Sequence, residues 1–299
     1  MPINLDEVKY DGASAELRGR FFSFARTVEV REISGPSFSW RYLDMGPKER
    51  PAVLFFTGGI KNPVFSFAVI SALSRACRVI APFQPPCRTL AEFFDGVELI
   101  LDREGIGAFS AAGSSWGGSL VQAAIIRFGT RVQRAIMANT GMRSGKMMVF
   151  LLRLHRRMTA KKAPAAVVED FRTLALKLLG SSEETRGFWE AVFDDLYVGT
   201  MTKDDYMSLI DTQIDYVENY AKEAFRRGFG GPVLILSARD ETAGSRKDRD
   251  MLMLMRAYPD ARVHIFAAGG HHPALMHFEE YARVVEDFLR DPHAGSAGA

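Results

Sequence analysis

A glycine-rich turn between a predicted strand and a predicted helix constrains the fold of this chain more than any other stretch. The run Ala108–Gly118 begins with small and apolar residues that suit a buried strand, and Ser119–Phe128 is typical of a helix. Between them, Gly113–Gly117 has the spacing G-x-S-x-G. Glycines two positions before and after Ser115 remove side chains that would collide in a sharp turn. The sequence therefore predicts a strand–turn–helix unit with Ser115 at its apex.

A serine at such an apex occupies the position of the nucleophile in a nucleophile elbow. The backbone amide of Trp116 then faces the same space as the Ser115 hydroxyl. An ordinary helix start rich in small residues could have the same sequence. The strand before the turn and the helix after it are the context that the motif requires, so they favour the elbow.

Strands and helices alternate on both sides of this turn. Outside the turn, the sequence predicts strands at Arg26–Ile33, Phe38–Asp44, Ala52–Phe56, Cys77–Phe83, Val132–Ala138, Val233–Ser237 and Arg262–Phe266. It predicts helices at Phe65–Arg75, Leu90–Leu101, Arg246–Ala257 and Ala274–Leu289. This alternation predicts an α/β fold, with a mostly parallel central sheet and helices on both of its faces.

Residues 142–230 interrupt the alternation, because no strand pattern appears there. Four helical stretches are predicted instead, at Lys146–Met158, Ala163–Leu179, Glu183–Tyr197 and Lys203–Arg227. We expect 142–230 to form a helical cap, inserted into a core made of residues 1–141 and 231–290. Residues 291–299 are small and polar, and we expect a disordered tail.

The composition narrows the function classes. The chain is 25% charged with a net charge of +2, which does not favour nucleic-acid binding. Cys77 and Cys87 lack metal-ligand spacing, so we expect them to be reduced and structural. No metal cluster, phosphate loop or dinucleotide motif is visible, so no metal and no cofactor is expected. We expect a cytoplasmic protein, because neither a signal-peptide pattern nor a long apolar run is present. The oligomeric state stays open.

A serine nucleophile needs a base, and the base works best when a carboxylate holds it. Asp240 follows the predicted strand Val233–Ser237 and is the preferred acid. Asn139, after the strand that follows the elbow, carries no carboxylate and cannot serve as the acid. Glu241 is a neighbouring alternative. Asp240 could instead cap a helix or pair in a loop.

Two adjacent histidines, His271 and His272, follow two glycines after the last predicted strand, where core packing does not account for them, so they are the candidates for the base. We prefer His271, which directly follows the glycines, because Pro273 then begins the helix two residues later. His272 remains the alternative. The other four histidines lie on predicted helices, a strand or the tail.

The turn Thr57-Gly58-Gly59 follows the predicted strand Ala52–Phe56. Acyl transfer places negative charge on the carbonyl oxygen, and two backbone amides directed at that oxygen stabilise it. Trp116 would supply one amide, and Gly59 is the best candidate for the second. The Gly58-Gly59 pair could also be an ordinary glycine turn.

Together these features resemble the α/β-hydrolase superfamily over nearly the whole chain. The order serine, acid, histidine is that of the superfamily. A narrower similarity is to the maspardin-like branch, through Arg78–Pro82, Glu92–Gly96 and Ala257–Arg262. That resemblance implies a hydrolase scaffold that can serve as a binding protein, with the catalytic histidine not reliably kept. The presence of His271 argues for retained chemistry.

The predicted cap offers candidate substrate contacts. Phe188, Trp189 and Phe193 could line an acyl pocket or form the cap's own core. The basic run Arg153–Lys162 beside apolar residues could touch an anionic lipid or substrate, or be a solvated face.

The sequence thus predicts a cofactor-free serine hydrolase of esterase type. Its substrate would be a small-molecule ester or thioester of hydrophobic character. A non-catalytic binding or adaptor protein, and an acyltransferase or lyase using the same serine, are the alternatives.

Overall fold

The computed structural model describes residues 15–142, 144–178, 183–197, 200–241 and 247–291 of the 299-residue chain. Apart from Asp291, the predicted tail at 291–299 lies outside the described residues. Within them, eight strands form one sheet. The strands are β1 (Val30–Ser34), β2 (Ser39–Met45), β3 (Ala52–Phe56), β4 (Arg78–Pro82), β5 (Phe109–Ser114), β6 (Val132–Ala138), β7 (Val233–Ala238) and β8 (Arg262–Phe266).

The strand order is β1-β2-β4-β3-β5-β6-β7-β8. Strands β1 and β2 are antiparallel to their neighbours, and every pair from β4 to β8 is parallel. The predicted α/β fold with a mostly parallel sheet is therefore confirmed. The chain passes from β3 to β4 on one side and returns to place β5 on the other side of β3. This reversal opens a crevice at the carboxyl ends of β3 and β5, where open α/β sheets bind their ligands.

Helices cover the sheet and fill the long β6–β7 connection. They are α1 (Ala15–Thr27), α2 (Phe67–Leu73), α3 (Leu90–Arg103), α4 (Trp116–Phe128), α5 (Lys146–Ala160), α6 (Pro164–Leu178), α7 (Glu183–Tyr197), α8 (Lys203–Asp215), α9 (Ala221–Arg227), α10 (Lys247–Ala257), α11 (Pro273–Met276) and α12 (Phe278–Arg290). A π-helical turn, Tyr216–Tyr220, joins α8 to α9. We call α5–α9 with this turn the insertion.

Helix α1 corrects the sequence analysis, which placed no helix before the first strand and began that strand at Arg26. The helix continues to Thr27, and β1 begins only at Val30. Its side chain Phe21 lies in edge-to-face contact with Phe67 of α2 and Phe188 of α7. Such long-range packing stabilises a helix whose own sequence pattern is weak.

Buried aromatic residues hold the insertion against the core. Trp189 of α7 lies 5.2 Å from Phe65 and 5.9 Å from Phe67, measured between ring centroids. Phe193 stacks on Tyr197 at 4.4 Å. Aromatic contacts of this kind stabilise a fold beyond the area that they bury. The insertion therefore rests on the core through a continuous aromatic layer.

Candidate active site

Ser115 lies between the end of β5 and the start of α4, in a backbone conformation that is unusual for serine. Its φ is 56° and its ψ is −120°. A Cβ on Gly113 would overlap the carbonyl oxygen of Gly117, and a Cβ on Gly117 would overlap that of Phe56. Both glycines are therefore required for the close approach of strand and helix. A non-glycine residue held at positive φ is strained, and such strain is typical of functional sites.

His271 connects Ser115 to a carboxylate. Its Nε2 lies 2.8 Å from Oγ of Ser115, and its Nδ1 lies 2.9 Å from Oε2 of Glu241. The side chains of His271 and Glu241 are only 11% and 7% exposed. The structure thus brings together Ser115 and His271, as the sequence analysis expected. This geometry lets the imidazole accept the hydroxyl proton while the carboxylate stabilises the charged ring.

Asp240 does not hold His271, so that part of the sequence analysis is wrong. Its carboxylate accepts hydrogen bonds from the backbone amides of Gly269, at 3.3 Å, and Gly270, at 2.9 Å. In the turn after β7, the Glu241 amide donates to the Ala238 carbonyl. The two adjacent carboxylates have different partners. Glu241, named in the sequence analysis only as an alternative, is the residue against the imidazole.

Asn139 also supports the histidine loop, a role that the sequence analysis missed. Its Nδ2 donates to the Gly270 carbonyl at 3.0 Å. Asn139 has a φ of 41°, a conformation that asparagine tolerates better than most residues. It follows β6 at the carboxyl edge of the sheet, and this position was the available signal. In the loop before His271, Asp240 therefore binds backbone amides and Asn139 binds a backbone carbonyl.

His272 lies beside His271, with 4.8 Å between the ring centroids, and faces the same cavity. Burial lowers the pKa of His272 to about 3, and the neighbouring His271 adds to the effect. A side chain with this pKa is neutral and weakly basic at physiological pH. The contact with the Ser115 hydroxyl is made by His271.

The turn after β3 approaches the elbow closely. A Cβ on Gly58 would lie 3.5 Å from Cβ of Ser115. Trp116 is the first residue of α4, where an amide has no acceptor within the helix. In the described part of the chain, the amides of Gly59 and Trp116 have no protein acceptor. Both amides are available to donate to a carbonyl oxygen on which negative charge develops beside Ser115.

Lys61 ties this turn to the insertion, which the sequence analysis did not foresee. Its amide donates to the Gly58 carbonyl at 3.1 Å, and its φ is 63°. Its Nζ donates to Oγ of Ser208, at 2.9 Å, and to the carbonyl of Asp205, at 3.1 Å. Burial lowers the pKa of Lys61 to about 8. The Gly59 turn therefore takes its position partly from α8.

A cavity of about 430 Å³ lies over Ser115 and His271. The residues that the insertion contributes to its wall include His155, Phe171, Leu174, Tyr206, Leu209 and Ile210. The predicted contacts Phe188, Trp189 and Phe193 are not among the lining residues. They are at most 1% exposed, because they form the aromatic layer between insertion and core. These positions therefore contradict the predicted role of the three residues in substrate binding.

Residues 53–287 match the sequence model of the alpha/beta hydrolase family. The chain belongs to this family. Among curated proteins, no sequence matches this chain. The comparisons do not support the narrower similarity to the maspardin-like branch, since the family match is to the general alpha/beta hydrolase family.

Solved structures of other α/β-hydrolases share the fold at low sequence identity. An enol-lactonase from Burkholderia xenovorans is 17% identical with a TM-score of 0.72, over 87% of this chain and 100% of that one. A thermophilic esterase from Thermogutta terrifontis is 16% identical with a TM-score of 0.70, over 88% and 98%. A carboxylesterase from Bacillus subtilis is 18% identical with a TM-score of 0.63, over 92% and 97%.

Among the described residues of this α/β-hydrolase, no helix is both long enough and apolar enough to cross a bilayer.

Proposed function

We propose that this protein is a serine hydrolase of esterase type, with Ser115 as nucleophile, His271 as base and Glu241 as acid. The observation that carries the proposal is the hydrogen-bonded chain from Ser115 Oγ through both ring nitrogens of His271 to Glu241 Oε2. A serine activated in this way is the nucleophile of acyl transfer on several unrelated folds. Its location at the crevice of the sheet fits the same role.

The proposed reaction has two steps. Ser115 Oγ attacks the carbonyl carbon of the ester while His271 Nε2 takes the hydroxyl proton, and Glu241 stabilises the imidazolium. The amides of Gly59 and Trp116 bind the oxyanion. His271 then gives its proton to the leaving alkoxide, which departs as an alcohol. In the second step His271 activates a water that hydrolyses the acyl-serine, and the free acid and Ser115 are released.

The residues that the insertion contributes to the cavity favour a substrate with a hydrophobic acyl group. Phe171, Leu209 and Ile210 give the wall over Ser115 an apolar character. We propose the insertion as a cap that selects substrates in this way. The similar structures named as esterases and as an enol-lactonase favour cleavage of a carbonyl–oxygen bond.

Labelling with a fluorophosphonate tests the proposal without knowledge of the substrate. Intact-mass measurement should show one adduct on the wild-type protein and none on Ser115→Ala. Ser114→Ala is the matched control, because Ser114 also lines the cavity but is not part of the hydrogen-bonded chain through His271. It should still be labelled. A folded wild-type protein that stays unmodified would overturn the proposal and favour a binding protein on the same scaffold.

A further inference from the structure

Helix α5 presents a row of large apolar side chains to solvent. Five of them are between 44% and 65% exposed: Met147, Phe150, Leu151, Leu154 and Met158. At about 100° per residue, these positions fall within an arc of about 100° on one side of the helix. On the side that faces the protein, Leu152 and Thr159 are partly or fully buried. The row is therefore a continuous apolar stripe, which we call the α5 stripe.

The surroundings of the α5 stripe are positively charged. The segment 144–168 contains no Asp or Glu. Its basic residues are Lys146, Arg153, Arg156, Arg157, Lys161 and Lys162. Arg153, Arg156 and Lys162 form ion pairs with acidic residues of α6 and of the α8–α9 region. Lys146, Arg157 and Lys161 have no ion-pair partner among the described residues, so their charges face solvent.

The unpaired cations and the cavity lie on opposite sides of the α5 stripe. Lys146 and Arg157 border the stripe on one side, and Lys161 follows the end of the helix. His155 borders it on the other side. His155 is exposed and lines the cavity, as does Leu174 of α6, which is 45% exposed. The cavity over Ser115 therefore opens beside the stripe.

We propose that the α5 stripe docks on a lipid surface that carries anionic head groups. An amphipathic helix with large apolar residues and neighbouring cations lies in the interface of such a surface. The unpaired cations would meet the head groups while the stripe enters the acyl region. A second copy of this chain fits less well. In a dimer formed through the stripe, the unpaired cations of the two copies would lie close together, and segment 144–168 has no acidic residue to neutralise them.

Docking in this orientation places the mouth of the cavity against the lipid. A long-chain ester dissolved in the bilayer could then reach Ser115 past His155 and Leu174. This assignment of substrate class rests on the proposed hydrolase function. The docking itself does not, and it can be tested on a protein that lacks the nucleophile.

The experiment uses the full chain with Ser115→Ala and measures co-sedimentation with vesicles. One set of vesicles is phosphatidylcholine alone, and the other contains equal parts of phosphatidylcholine and phosphatidylglycerol. We expect binding to the anionic vesicles, weaker binding to the neutral ones, and a decrease with added salt. Each cation near an anionic surface strengthens binding about fivefold.

Two pairs of variants locate the surface. Neutralising Lys146, Arg157 and Lys161 to Gln should weaken binding on the order of 100-fold. The matched triple, with Gln at Lys48, Lys222 and Arg256, removes three exposed cations elsewhere and should leave binding unchanged. Leu151→Ser should weaken binding roughly tenfold. Leu252→Ser is its control, since Leu252 is 56% exposed on α10, away from the stripe.

Three results would overturn the proposal. These are absence of binding to anionic vesicles, equal losses in the test and control variants, and a concentration-dependent dimer in sedimentation velocity that Leu151→Ser dissociates. The last result would assign the stripe to a second copy of the chain. Because no arm of the experiment measures catalysis, its failure is distinguishable from a failure of the hydrolase proposal.

Discussion

Glu241 Oε2 lies 2.9 Å from Nδ1 of His271, whereas the adjacent carboxylate of Asp240 binds two backbone amides of the loop that carries the histidine. Two neighbouring acids thus act on the same imidazole in different ways. Glu241 contacts the ring itself, and Asp240 fixes the backbone on which the ring is mounted. Loss of the first should affect proton transfer, and loss of the second should affect stability and positioning.

Glu241→Gln and Asp240→Asn separate these two roles. An amide at position 241 no longer stabilises the imidazolium, so kcat on a p-nitrophenyl ester should fall by about 10²- to 10⁴-fold. The Asp240→Asn variant keeps the contact between Glu241 and His271, so kcat should fall less than about tenfold. Its free energy of unfolding should fall by about 1–2 kcal/mol, because two charge-assisted hydrogen bonds are weakened. The two measurements are steady-state kinetics and urea denaturation. Greater loss of kcat in Asp240→Asn would reverse the assignment.

The two adjacent histidines make a second matched pair. His271→Ala removes the base and should lower kcat by several orders of magnitude, with slow fluorophosphonate labelling. His272→Ala should be labelled at nearly the wild-type rate. Because the pKa of His272 is about 3, this ring keeps the same charge across neutral pH. The pH profile of kcat/KM should therefore keep its shape in His272→Ala. A shifted limb in that profile would assign proton transfer to His272.

Local sequence constraints predicted much of this fold. The glycines at 113 and 117 are required by the contacts of the elbow, and they made Ser115 identifiable. Strands β3, β6 and β8 begin and end at the predicted residues, because turn residues bound each of them in the sequence. Spacing alone could not choose between Asp240 and Glu241. That choice depends on how the turn after β7 directs each side chain.

Contacts between distant parts of the chain were harder to predict. Helix α1 is stabilised by Phe67 and Phe188, which are far away in sequence. The same packing removes Phe188 and Trp189 from the cavity, although their aromatic character suited an acyl pocket. Lys61 contacts Ser208 across 147 positions of the chain. In each case the deciding partner lies on another element, which a periodic pattern does not reveal.

The aromatic layer and the cavity wall should respond differently to truncation. Trp189→Ala should lower the free energy of unfolding by about 3–5 kcal/mol, because it removes a buried ring between α7 and the core. If the protein stays folded, its preference between butyrate and decanoate esters should be unchanged. Leu174→Ala widens the cavity at a half-exposed position, so it should change that preference and cost little stability. The opposite pattern would place the acyl pocket at Trp189.

Buried Lys61 makes stability depend on pH in the alkaline range. Burial lowers its pKa in the folded protein from 10.5 to about 8. Between these values the unfolded chain binds the proton more tightly than the folded chain does. The free energy of unfolding therefore rises with pH across that window, by up to about 3 kcal/mol. Below about pH 8 the lysine is protonated in both states, so this contribution is constant.

The measurement is the difference in free energy of unfolding between the wild-type protein and Lys61→Met, followed by urea denaturation from about pH 7 to 11. The difference isolates Lys61 from other groups that titrate there. The nearby Cys87 thiol, whose pKa burial raises to about 12, acts with the opposite sign, so both proteins should also carry Cys87→Ala. We expect the wild-type protein to gain stability relative to Lys61→Met as the pH rises from about 8 to 10.5. Lys48→Met, at an exposed position, should show no such slope. A flat difference for Lys61→Met would mean that the folded protein stabilises the ammonium group as well as water does, and burial would then not lower the pKa of Lys61.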